Sequence, residues 1–400
     1  MSEWREVVLG DLCERVTVGH VGPMATQYVD SGVPFLRSQN VRPFVIDTEG
    51  MFFIGDEFNA KLRKSSLSVG DVVVIRTGYP GTASVIPMEL DGANCADLVI
   101  ITPSKELNPH LLAALFNSAY GSNVVKSQLV GSAQQHFNVG SAKRMKIKLP
   151  DRRSQDKIAD VLCSFNDLIE NNRRRVAVLE EMARTIYREW FVKFRYPGHE
   201  DVSLVDSELG PIPEGWKVQR LEELGKLVGG NTTTKAAYVA TGNVAFSAAG
   251  PDGFLPDYEV DGVGVVLSAV GARCGRTFWA SGRWSSIANT IKILPYEPQQ
   301  NASWLYLATK NPDIWPKRGS AQPFVSINDA RGVQIVTADK QTHLAFETCV
   351  RPLFDDVDIL RQQRDRLASI RDLLLPKLVT GKIDVSTLDL DALVKERGMA

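Results

Sequence analysis

The stretch DVLCSFNDLIENNRRRVAVLEEM (Asp160–Met182) decides the fold, because its apolar residues recur alternately every fourth and every third position. That spacing is the heptad pattern of helices that pair along their length. A second stretch with this pattern, ETCVRPLFDDVDILRQQRDRLAS, occupies Glu347–Ser369. Each pattern persists for about 40 to 45 residues, whereas helices of ordinary globular domains run about 8 to 20. Two long helices in one chain most simply pair with each other, so we predict an antiparallel coiled coil.

The rest of the chain repeats together with these helices. The tetrapeptide GSAQ occurs at Gly131–Gln134 and again at Gly319–Gln322, an interval of 188 positions (319 − 131). The same interval separates Leu179 from Leu367 inside the two helical stretches (367 − 179). A repeat this long exceeds the unit of a solenoid protein. It predicts two copies of a globular domain followed by a long helix, related by pseudo-two-fold symmetry.

Each copy also contains short apolar runs typical of strands, separated by Gly, Pro and Asn. They are VVVIR and LVIIT in the first copy, and VGVVLSAV and IKIL in the second. We therefore predict α/β (α+β) globular domains in two copies, joined by the two helices. Asp151 and Asp339, also 188 positions apart, are the expected helix caps. The predicted boundaries are 1–150 for the first domain, 151–196 for the first helix, 197–215 for an extended linker, 216–338 for the second domain, 339–381 for the second helix and 382–400 for the tail.

The residues expected to hold the helices together, or to dock partner helices, lie on the apolar stripes. The alternative is ordinary core packing inside one domain, which the length of the stripes argues against. These residues are Phe165, Ile169, Leu179, Ile186 and Trp190 in the first helix, and Leu353, Val357, Leu367, Leu374 and Leu378 in the second.

Composition restricts the class of protein. The chain is 44% hydrophobic, carries a formal net charge of −1, and contains no apolar run approaching the ~20 residues of a membrane span. Its five cysteines are scattered without CxxC spacing, which is typical of reduced thiols in a cytoplasmic protein. The charge balance implies that any nucleic-acid surface is local or shared with another subunit.

The sequence contains no recognisable catalytic centre. A phosphate-binding GxxxxGK[ST] loop, GxSxG, HExxH and the tetrapeptide of adenine methyltransferases are all absent. The five histidines do not cluster with cysteines or carboxylates at metal-ligand spacing. We therefore predict no catalytic residue, no metal ligand and no bound cofactor, and favour a binding or assembly role.

Six segments resemble the specificity subunits of type I restriction–modification systems. WFVKFRYPG (Trp190–Gly198) followed by LGPIPEGW (Leu209–Trp216) is similar to their central region, and LLLPKLVTGKIDV (Leu373–Val385) to their C-terminal region. GVPFLRSQNV (Gly32–Val41) and the GSAQ segments resemble their target-recognition domains. The resemblance covers essentially the whole chain and keeps the order domain, helix, domain, helix.

The resemblance implies a non-catalytic reader of double-stranded DNA. Each domain would read one half of a bipartite, asymmetric target, while the paired helices set the spacer and dock two modification (methyltransferase) subunits. Restriction and translocase subunits would join the complex. S-adenosylmethionine, ATP and Mg²⁺ would be bound by those partners, and none of them by this chain. Two half-sites about one turn of duplex apart would suit two domains on one rod.

Residues that read bases are expected where the two copies differ. Arginine matches the guanine edge, and glutamine or asparagine matches adenine. The candidates in the first copy are Arg37, Ser38, Gln39 and Asn40 after VPFL, and Arg76, Thr77 and Tyr79 after VVVI. The corresponding stretches of the second copy, Ser247–Gly250 and Ser268–Gly271, lack arginine, so the candidates there are Ser247, Arg273 and Arg276. For each, the alternative is an ordinary polar surface side chain.

Residues shared by both copies cannot easily read two different sequences. Ser132 and Gln134, with Ser320 and Gln322, are therefore predicted to be scaffold or phosphate contacts, the alternative being a polar turn before a strand.

One further repeat position differs between the copies. His136 is also a candidate for DNA contact; it occupies the repeat position of Phe324, which suits either the core or a DNA-facing edge.

The copies also differ in length. From Trp4 to Gly131 the first copy spans 127 positions (131 − 4), and from Trp216 to Gly319 the second spans 103 (319 − 216). The 24 extra positions are expected between Trp4 and Cys95, as an added loop around Asp47–Lys64. Two other functions stay open: a scaffold that reads no sequence, and a specificity module with an unrecognised methyltransferase or nuclease activity.

Overall fold

The computed structural model describes residues 4–129 and 136–385, which divide into two compact units. Unit 1 comprises Met1–Asn171 with Gln363–Ala400, and unit 2 comprises Asn172–Gln362. Each unit therefore contains one globular domain and parts of both long helices. No helix in the described part of the chain combines the length and hydropathy needed to cross a membrane.

Unit 1 is a mixed α/β domain whose strands form two four-stranded sheets and two short pairs. Its strands are β1 (Arg5–Val8), β2 (Cys13–Val18), β3 (Tyr28–Val29), β4 (Val33–Leu36), β5 (Val41–Arg42), β6 (Val45–Ile46), β7 (Phe52–Ile54), β8 (Val72–Ile75), β9 (Ala83–Val85), β10 (Asn94–Cys95), β11 (Leu98–Pro103) and β12 (Lys146–Leu149). Its short helices are α1 (Asp56–Lys61), α2 (Pro109–Asn117), α3 (Ala119–Leu129) and α4 (Val139–Arg144). The sheet orders are β2-β11-β8-β9 and β10-β4-β7-β3, with β1 paired to β12 and β5 to β6.

Unit 2 has the same kinds of element, preceded by the first long helix, α5 (Arg152–Tyr187), and followed by the second, α9 (Lys340–Leu378). Its strands are β13 (Leu204–Val205), β14 (Ile212–Pro213), β15 (Lys217–Arg220), β16 (Gly225–Gly229), β17 (Asn243–Ser247), β18 (Gly250–Leu255), β19 (Val260–Asp261), β20 (Gly264–Ser268), β21 (Thr277–Ala280), β22 (Arg283–Ser286), β23 (Thr290–Pro295) and β24 (Gln334–Thr337). Its short helices are α6 (Leu221–Leu224), α7 (Pro298–Ala308) and α8 (Ile327–Arg331). The sheet orders are β16-β23-β20-β21 and β18-β17-β22-β19, with β15 paired to β24 and β13 to β14.

The two units share one strand frame, as the repeat predicts. The order β2-β11-β8-β9 of unit 1 matches β16-β23-β20-β21 of unit 2, and β1-β12 matches β15-β24. The second sheets share three strands, including a parallel pair that is β4-β10 in unit 1 and β17-β22 in unit 2. They differ at their ends, since unit 1 adds β3 beside β7 whereas unit 2 adds β19 beside β22.

The apolar runs form the buried strands. Val72–Ile75 and the first four residues of β11 are buried on both faces, and both strands pair in one antiparallel sheet. The β-branched side chains of these runs favour extended backbone and pack well on a pleated surface. The predicted strands in all four runs are thus present in the structure.

Both long helices begin directly after an aspartate cap. The Asp151 carboxylate accepts the Ser154 N–H at 3.0 Å, and the Asp339 carboxylate accepts the Thr342 N–H at 3.0 Å. These bonds satisfy amide groups that have no partner inside the helix. The backbone and hydroxyl hydrogen bonds from Ser154 hold the pKa of the Asp151 carboxyl below its usual range.

In unit 2 the helices run antiparallel. Glu180 of α5 is ion-paired with Arg361 of α9 at 2.6 Å. Phe191, which follows Glu180 in the chain, packs on Phe346, which precedes Arg361; the two ring centroids are 5.0 Å apart. Later residues of the first helix thus contact earlier residues of the second. Phe191 belongs to a π-helical turn, Arg188–Val192, that extends α5.

In unit 1 the helices are antiparallel as well. The Arg371 guanidinium donates to the Asn166 amide oxygen at 2.9 Å, whereas Ser154 and Ile158 lie beside Gly381–Val385. The stripe residues are buried or half-buried in both helices. The predicted coiled-coil pairing is therefore observed within each unit.

Two details of the predicted chain path differ from the structure. Regular helix ends at Tyr187 and the π turn at Val192, before the predicted stop at Tyr196-Pro197, and Phe194 adopts a left-handed backbone with φ 57°. The segment predicted as an extended linker contains the β13-β14 hairpin. Ile212 of this hairpin is buried in the core of unit 2, so the segment packs against the domain.

The length difference between the copies lies mostly where it was expected. From Leu36 to Ile75 unit 1 uses 39 positions, whereas the paired strand ends Phe246 and Ser268 of unit 2 are 22 positions apart. The excess forms the β5-β6 hairpin and α1. The prediction that all 24 extra positions precede Cys95 is wrong. From Leu98 to Phe137 unit 1 uses 39 positions, whereas unit 2 uses 35 from Thr290 to Val325, so four of the extra positions lie after the start of β11.

Replacement of His343 by glutamine is expected to remove part of the acid sensitivity of unit 2. Burial lowers the pKa of His343 to about 4, and its Nε2 atom accepts the Ala338 N–H at 3.2 Å. Because the pKa is depressed on folding, the stabilisation is complete above the unfolded value of 6.5 and is lost as the pH falls toward 4. At pH 5 the loss should be about 2 kcal/mol.

The measurement is the free energy of unfolding at pH 7 and pH 5, followed by tryptophan fluorescence, for the native chain and His343→Gln. Glutamine is the matched choice because Gln155, 188 positions earlier, accepts the Asn108 N–H through Oε1 at 3.0 Å. An equal loss of stability in both proteins would show that another group is responsible.

Candidate nucleic-acid interface

The candidate site of unit 1 is the end of the domain at which four strands finish or begin. The parallel strands β4 and β10 end at Leu36 and Cys95, and Ile75 at the end of β8 pairs with Leu98 at the start of β11. The carboxyl ends of parallel strands lie at one edge, so the residues that follow them are neighbours. We call residues 19–20, 37–40, 76–82, 96–97 and 136 the loop edge of unit 1.

Four polar side chains meet at this loop edge, and we call them the quartet: Arg76, Thr77, Asp97 and His136. The Arg76 Nη1 atom donates to Asp97 Oδ1 at 2.8 Å, and the Thr77 hydroxyl lies 3.3 Å from Asp97 Oδ2. The same hydroxyl is 3.1 Å from His136 Nδ1. Asp97 has a left-handed backbone with φ 53°, which aspartate and asparagine tolerate better than most residues. The quartet joins three separate segments of the chain.

Arg37 is held in place by aromatic rings. Its guanidinium carbon lies 3.8 Å from the centroid of the Phe52 ring, which stacks on Tyr28 at 4.3 Å. An arginine stacked on its face keeps its in-plane N–H donors available for an acceptor. Arg37 is therefore oriented for hydrogen bonding rather than freely mobile.

The other predicted residues of unit 1 fall into two groups. Ser38 is half-buried, Gln39 is exposed, and Tyr79 is 81% exposed at the tip of the β8-β9 loop. Asn40 is only 1% exposed. Its amide oxygen accepts the Arg37 N–H and its amide nitrogen donates to the Asp47 carbonyl, both at 3.0 Å. The structure thus assigns Asn40 to holding the loop, which corrects its prediction as a base contact.

Unit 2 has an open cleft at the corresponding edge. The cleft has a volume of about 470 Å³. It is lined by Thr233, Thr234, Lys235, Ser247, Ala248, Ala249, Val270, Ala272, Arg273, Ile287, Ala288 and Asn289. Most of these residues are small, so the cleft floor is formed largely by methyl groups and backbone, with polar groups at a few places.

A hydrogen-bonded cluster lies beside this cleft. The Asp252 carboxylate accepts from Lys235 Nζ at 2.5 Å, from the Ser247 hydroxyl at 2.7 Å and from the Tyr238 hydroxyl at 2.9 Å. Burial raises the pKa of the Asp252 carboxyl, but these three hydrogen bonds outweigh burial and leave that pKa lowered. The Ser247 hydroxyl is committed to Asp252 and Ser247 is buried, so Ser247 positions the cluster and is not a free base contact.

The two predicted arginines of unit 2 lie on the β20-β21 loop. Both are exposed, and the Arg273 Nη1 atom donates to the Ala249 carbonyl at 3.0 Å. Arg273 therefore borders the cleft in place of the arginines that follow β4 and β8 in unit 1.

The second GSAQ segment forms the tip of a tight turn. Arg318 and Phe324 exchange backbone hydrogen bonds at 2.8 Å, which leaves Ser320 and Gln322 exposed between them. Ser132 and Gln134 of the first GSAQ segment lie outside the described residues.

Strand pairing fixes which residues of the two edges correspond. Ser268 pairs with Thr290 as Ile75 pairs with Leu98, so Arg76 corresponds to Ala269 and not, as the sequence suggested, to Ser268. Backbone bonds agree, since Phe137 N donates to Arg76 O at 3.2 Å and Val325 N donates to Ala269 O at 2.8 Å.

The remaining correspondences follow from that frame. His136 corresponds to Phe324, and both are partly exposed at the edge, which resolves the choice between core and edge. Asp97 corresponds to Asn289, because each is left-handed (φ 53° and 68°) and directly precedes the first residue of the matching strand.

Both edges present hydrogen-bond donors and acceptors. In residues 4–129 and 136–385 no three His, Cys, Asp or Glu side chains are placed to hold a metal ion. Exposed arginine, lysine, carboxylate and amide groups are the set that recognises base edges and phosphates. Sequence reasoning missed Asp97, Phe52, Tyr28, Lys235 and Asp252. The available signal was that Asp97 and Asn289 each stand directly before a buried apolar strand in the two copies.

Comparisons with known proteins agree on one family. A family model described as the type I restriction modification DNA specificity domain matches residues 1–181. The type I restriction enzyme MjaIX specificity subunit of Methanocaldococcus jannaschii is 24% identical over 311 residues, covering 72% of each chain. The putative type I restriction enzyme MjaX specificity subunit of the same organism is 22% identical over 415 residues, covering 96% of this chain and 95% of the relative.

The fold has a solved counterpart. The crystal structure of the type I restriction–modification S subunit from M. genitalium superposes with a TM-score of 0.60. The match covers 94% of this chain and 96% of that one, at 14% sequence identity. The similarity therefore concerns the fold, and not individual side chains.

Proposed function

Because the chain belongs to the specificity subunits of type I restriction–modification systems, we propose that each loop edge reads one half of a bipartite, asymmetric DNA target. The observation that carries the proposal is that the two units share the same strand order, whereas the side chains at their edges differ. A shared frame with different donors and acceptors is what two unrelated half-sites require.

Direct readout explains why the edges differ in shape as well as in chemistry. Unit 1 presents stacked Arg37, the quartet and the exposed Tyr79 ring. Unit 2 presents a concave surface bordered by Arg273 and Lys235. Arginine and lysine at the rims supply phosphate contacts in addition to base contacts, while the net charge of −1 leaves the rest of the affinity to partner subunits.

The paired helices are the proposed dock for modification subunits. Several large apolar side chains of α5 and α9 are exposed, whereas the stripe residues between the helices are buried or half-buried. Such side chains on an elongated helical surface suit burial against helices of another protein. They are Leu168, Ile370 and Leu373 in unit 1, and Val178, Met182, Leu344 and Ile359 in unit 2.

Chemistry on the DNA would then belong to the partners. S-adenosylmethionine would be bound by the modification subunits, and ATP with Mg²⁺ by the restriction subunits. The role of this chain is to select the duplex sequence and to place the partners on it.

Exchange of one domain tests the proposal. Residues 1–150 are replaced by the corresponding domain of a related subunit, the chain is expressed with its modification subunits, and methylated adenines are mapped by sequencing. We expect a complete change of the first half-site with the second half-site unchanged. The reciprocal exchange of residues 216–338 is the matched control and should change only the second half-site. Unchanged half-sites in both exchanges would contradict DNA reading and favour a scaffold.

A further inference from the structure

We infer that the quartet of unit 1 reads a single G·C base pair of the first half-site, with Arg76 as the guanine contact and Asp97 as the residue that positions Arg76 and accepts from the cytosine amino group. The inference rests on the proposed function and adds to it the base that is read and the residue that prepares its reader.

Arg76 is restrained by its surroundings. Its side chain is only 18% exposed, and one end of the guanidinium group is fixed by the 2.8 Å bond to Asp97. An unrestrained arginine loses side-chain entropy when it binds, whereas a guanidinium already held in place loses less. The guanine edge presents two acceptors, O6 and N7, which match two parallel N–H groups of arginine. Arg76 therefore has the donor geometry and the preorganisation of a guanine reader.

Asp97 is partly exposed at the loop edge. Its side chain is 46% exposed although it pairs with Arg76, so the carboxylate is open toward a ligand at the edge. In a G·C pair the cytosine N4 amino group donates a hydrogen bond, which a carboxylate oxygen can accept. Thr77 and His136 complete the arrangement, since the Thr77 hydroxyl lies within hydrogen-bond distance of both Asp97 and His136.

The second copy has a different residue at every position of the quartet. The positions that correspond to Arg76, Thr77, Asp97 and His136 are Ala269, Val270, Asn289 and Phe324. Three of the four polar groups become apolar together, and the carboxylate becomes a neutral amide. Four positions from three segments that change together behave as one recognition element.

The frame around the quartet does not require it. The backbone bond from Phe137 to Arg76 at 3.2 Å recurs as Val325 to Ala269 at 2.8 Å in unit 2. The left-handed turn at Asp97 recurs at Asn289. Since the same fold forms without the four polar side chains, a purely structural role does not account for them.

The test uses the full chain expressed with its modification subunits, and the readout is the sequence of methylated sites. In Asp97→Asn the left-handed backbone is retained, as Asn289 shows, but the charged partner of Arg76 is lost. We expect the preference for guanine at one position of the first half-site to fall about 5- to 10-fold. In Arg76→Ala it should fall about 10- to 100-fold, the range of one lost base contact.

Arg5→Ala is the matched control, because Arg5 also pairs with a carboxylate of unit 1, Glu106, at 3.3 Å. That pair lies beyond Pro103, at the opposite end of β11 from the quartet. The control should leave every position of the target unchanged.

The quadruple variant Arg76→Ala, Thr77→Val, Asp97→Asn and His136→Phe reproduces the side chains of unit 2. We expect it to fold with an unchanged melting temperature and to lose only this one base preference.

The outcomes separate the two hypotheses. A native chain that directs methylation to no bipartite sequence would overturn the proposed function. A native chain with a bipartite target whose first half-site keeps the same guanine preference in Arg76→Ala and Asp97→Asn would overturn only the role of the quartet. A uniform fall in methylation at all sites, without a change of sequence, would also overturn it, because it would indicate a phosphate contact.

Discussion

Alanine in place of Phe346 is expected to lower the free energy of unfolding of unit 2 by about 3 to 5 kcal/mol. Phe346 is fully buried where α9 meets α5, and its ring lies 5.0, 5.7 and 6.4 Å from the rings of Phe191, Trp190 and Tyr187. Its removal leaves a cavity at the point where the helix pair meets the core of the domain. Loss of the π-helical turn at Arg188–Val192 should accompany it.

Tryptophan fluorescence is a suitable measurement because six of the seven tryptophans belong to unit 2 and only Trp4 belongs to unit 1. The matched control is Leu344→Ala, two residues earlier on α9, where the side chain is 50% exposed and the change should stay within about 0.5 kcal/mol. Equal destabilisation by both variants would show that Phe346 is not an anchor between the helices.

Asparagine in place of Asp71 is expected to destabilise unit 1 by about 2 to 4 kcal/mol. The Asp71 carboxylate is fully buried and accepts from Arg15 at 2.6 Å, from the Thr102 hydroxyl at 2.5 Å and from the Ser68 N–H at 2.9 Å. Asparagine keeps the shape but places an amide donor against these donors. Because Arg15 is partly exposed, water recovers part of its charge, which keeps the cost below that of a fully buried pair.

Hydrogen exchange at the amides of β8 and β11 measures this effect in unit 1, while the fluorescence transition of unit 2 serves as an internal reference. Glu106→Ala removes the exposed partner of Arg5 in the same unit and should cost less than about 1 kcal/mol. Unchanged protection of β8 in Asp71→Asn would refute the role of this buried network.

Much of the framework could be predicted from sequence because its signals are local or periodic. Val72–Ile75 is a short run of β-branched residues, which favours a strand, and the structure has a strand there. The caps Asp151 and Asp339 stand directly before the heptad stripes, and a constant interval relates the two copies. Each signal involves residues that are close in sequence or repeated at one offset.

The details of the site depend on contacts across the chain, which the sequence does not display. Asp97 and Arg76 are 21 positions apart, and their pairing follows from the register of β8 with β11. Asn40 has the side chain of an adenine reader, yet the loop that it closes through Arg37 and Asp47 buries it. The sequence comparison also matched Arg76 with Ser268, one residue before its counterpart in the strand pairing, Ala269.

The left-handed position before β11 and β23 has a consequence for how such a protein can change its target. Only a few residue types accept that backbone, and the two copies use Asp97 and Asn289 there. Aspartate and asparagine have the same shape, and their codons differ by a single first-base transition. One nucleotide change therefore adds or removes a negative charge at the reading edge while leaving the backbone undisturbed. This places a change of preferred base within one mutational step and separates it from the cost of a strained backbone.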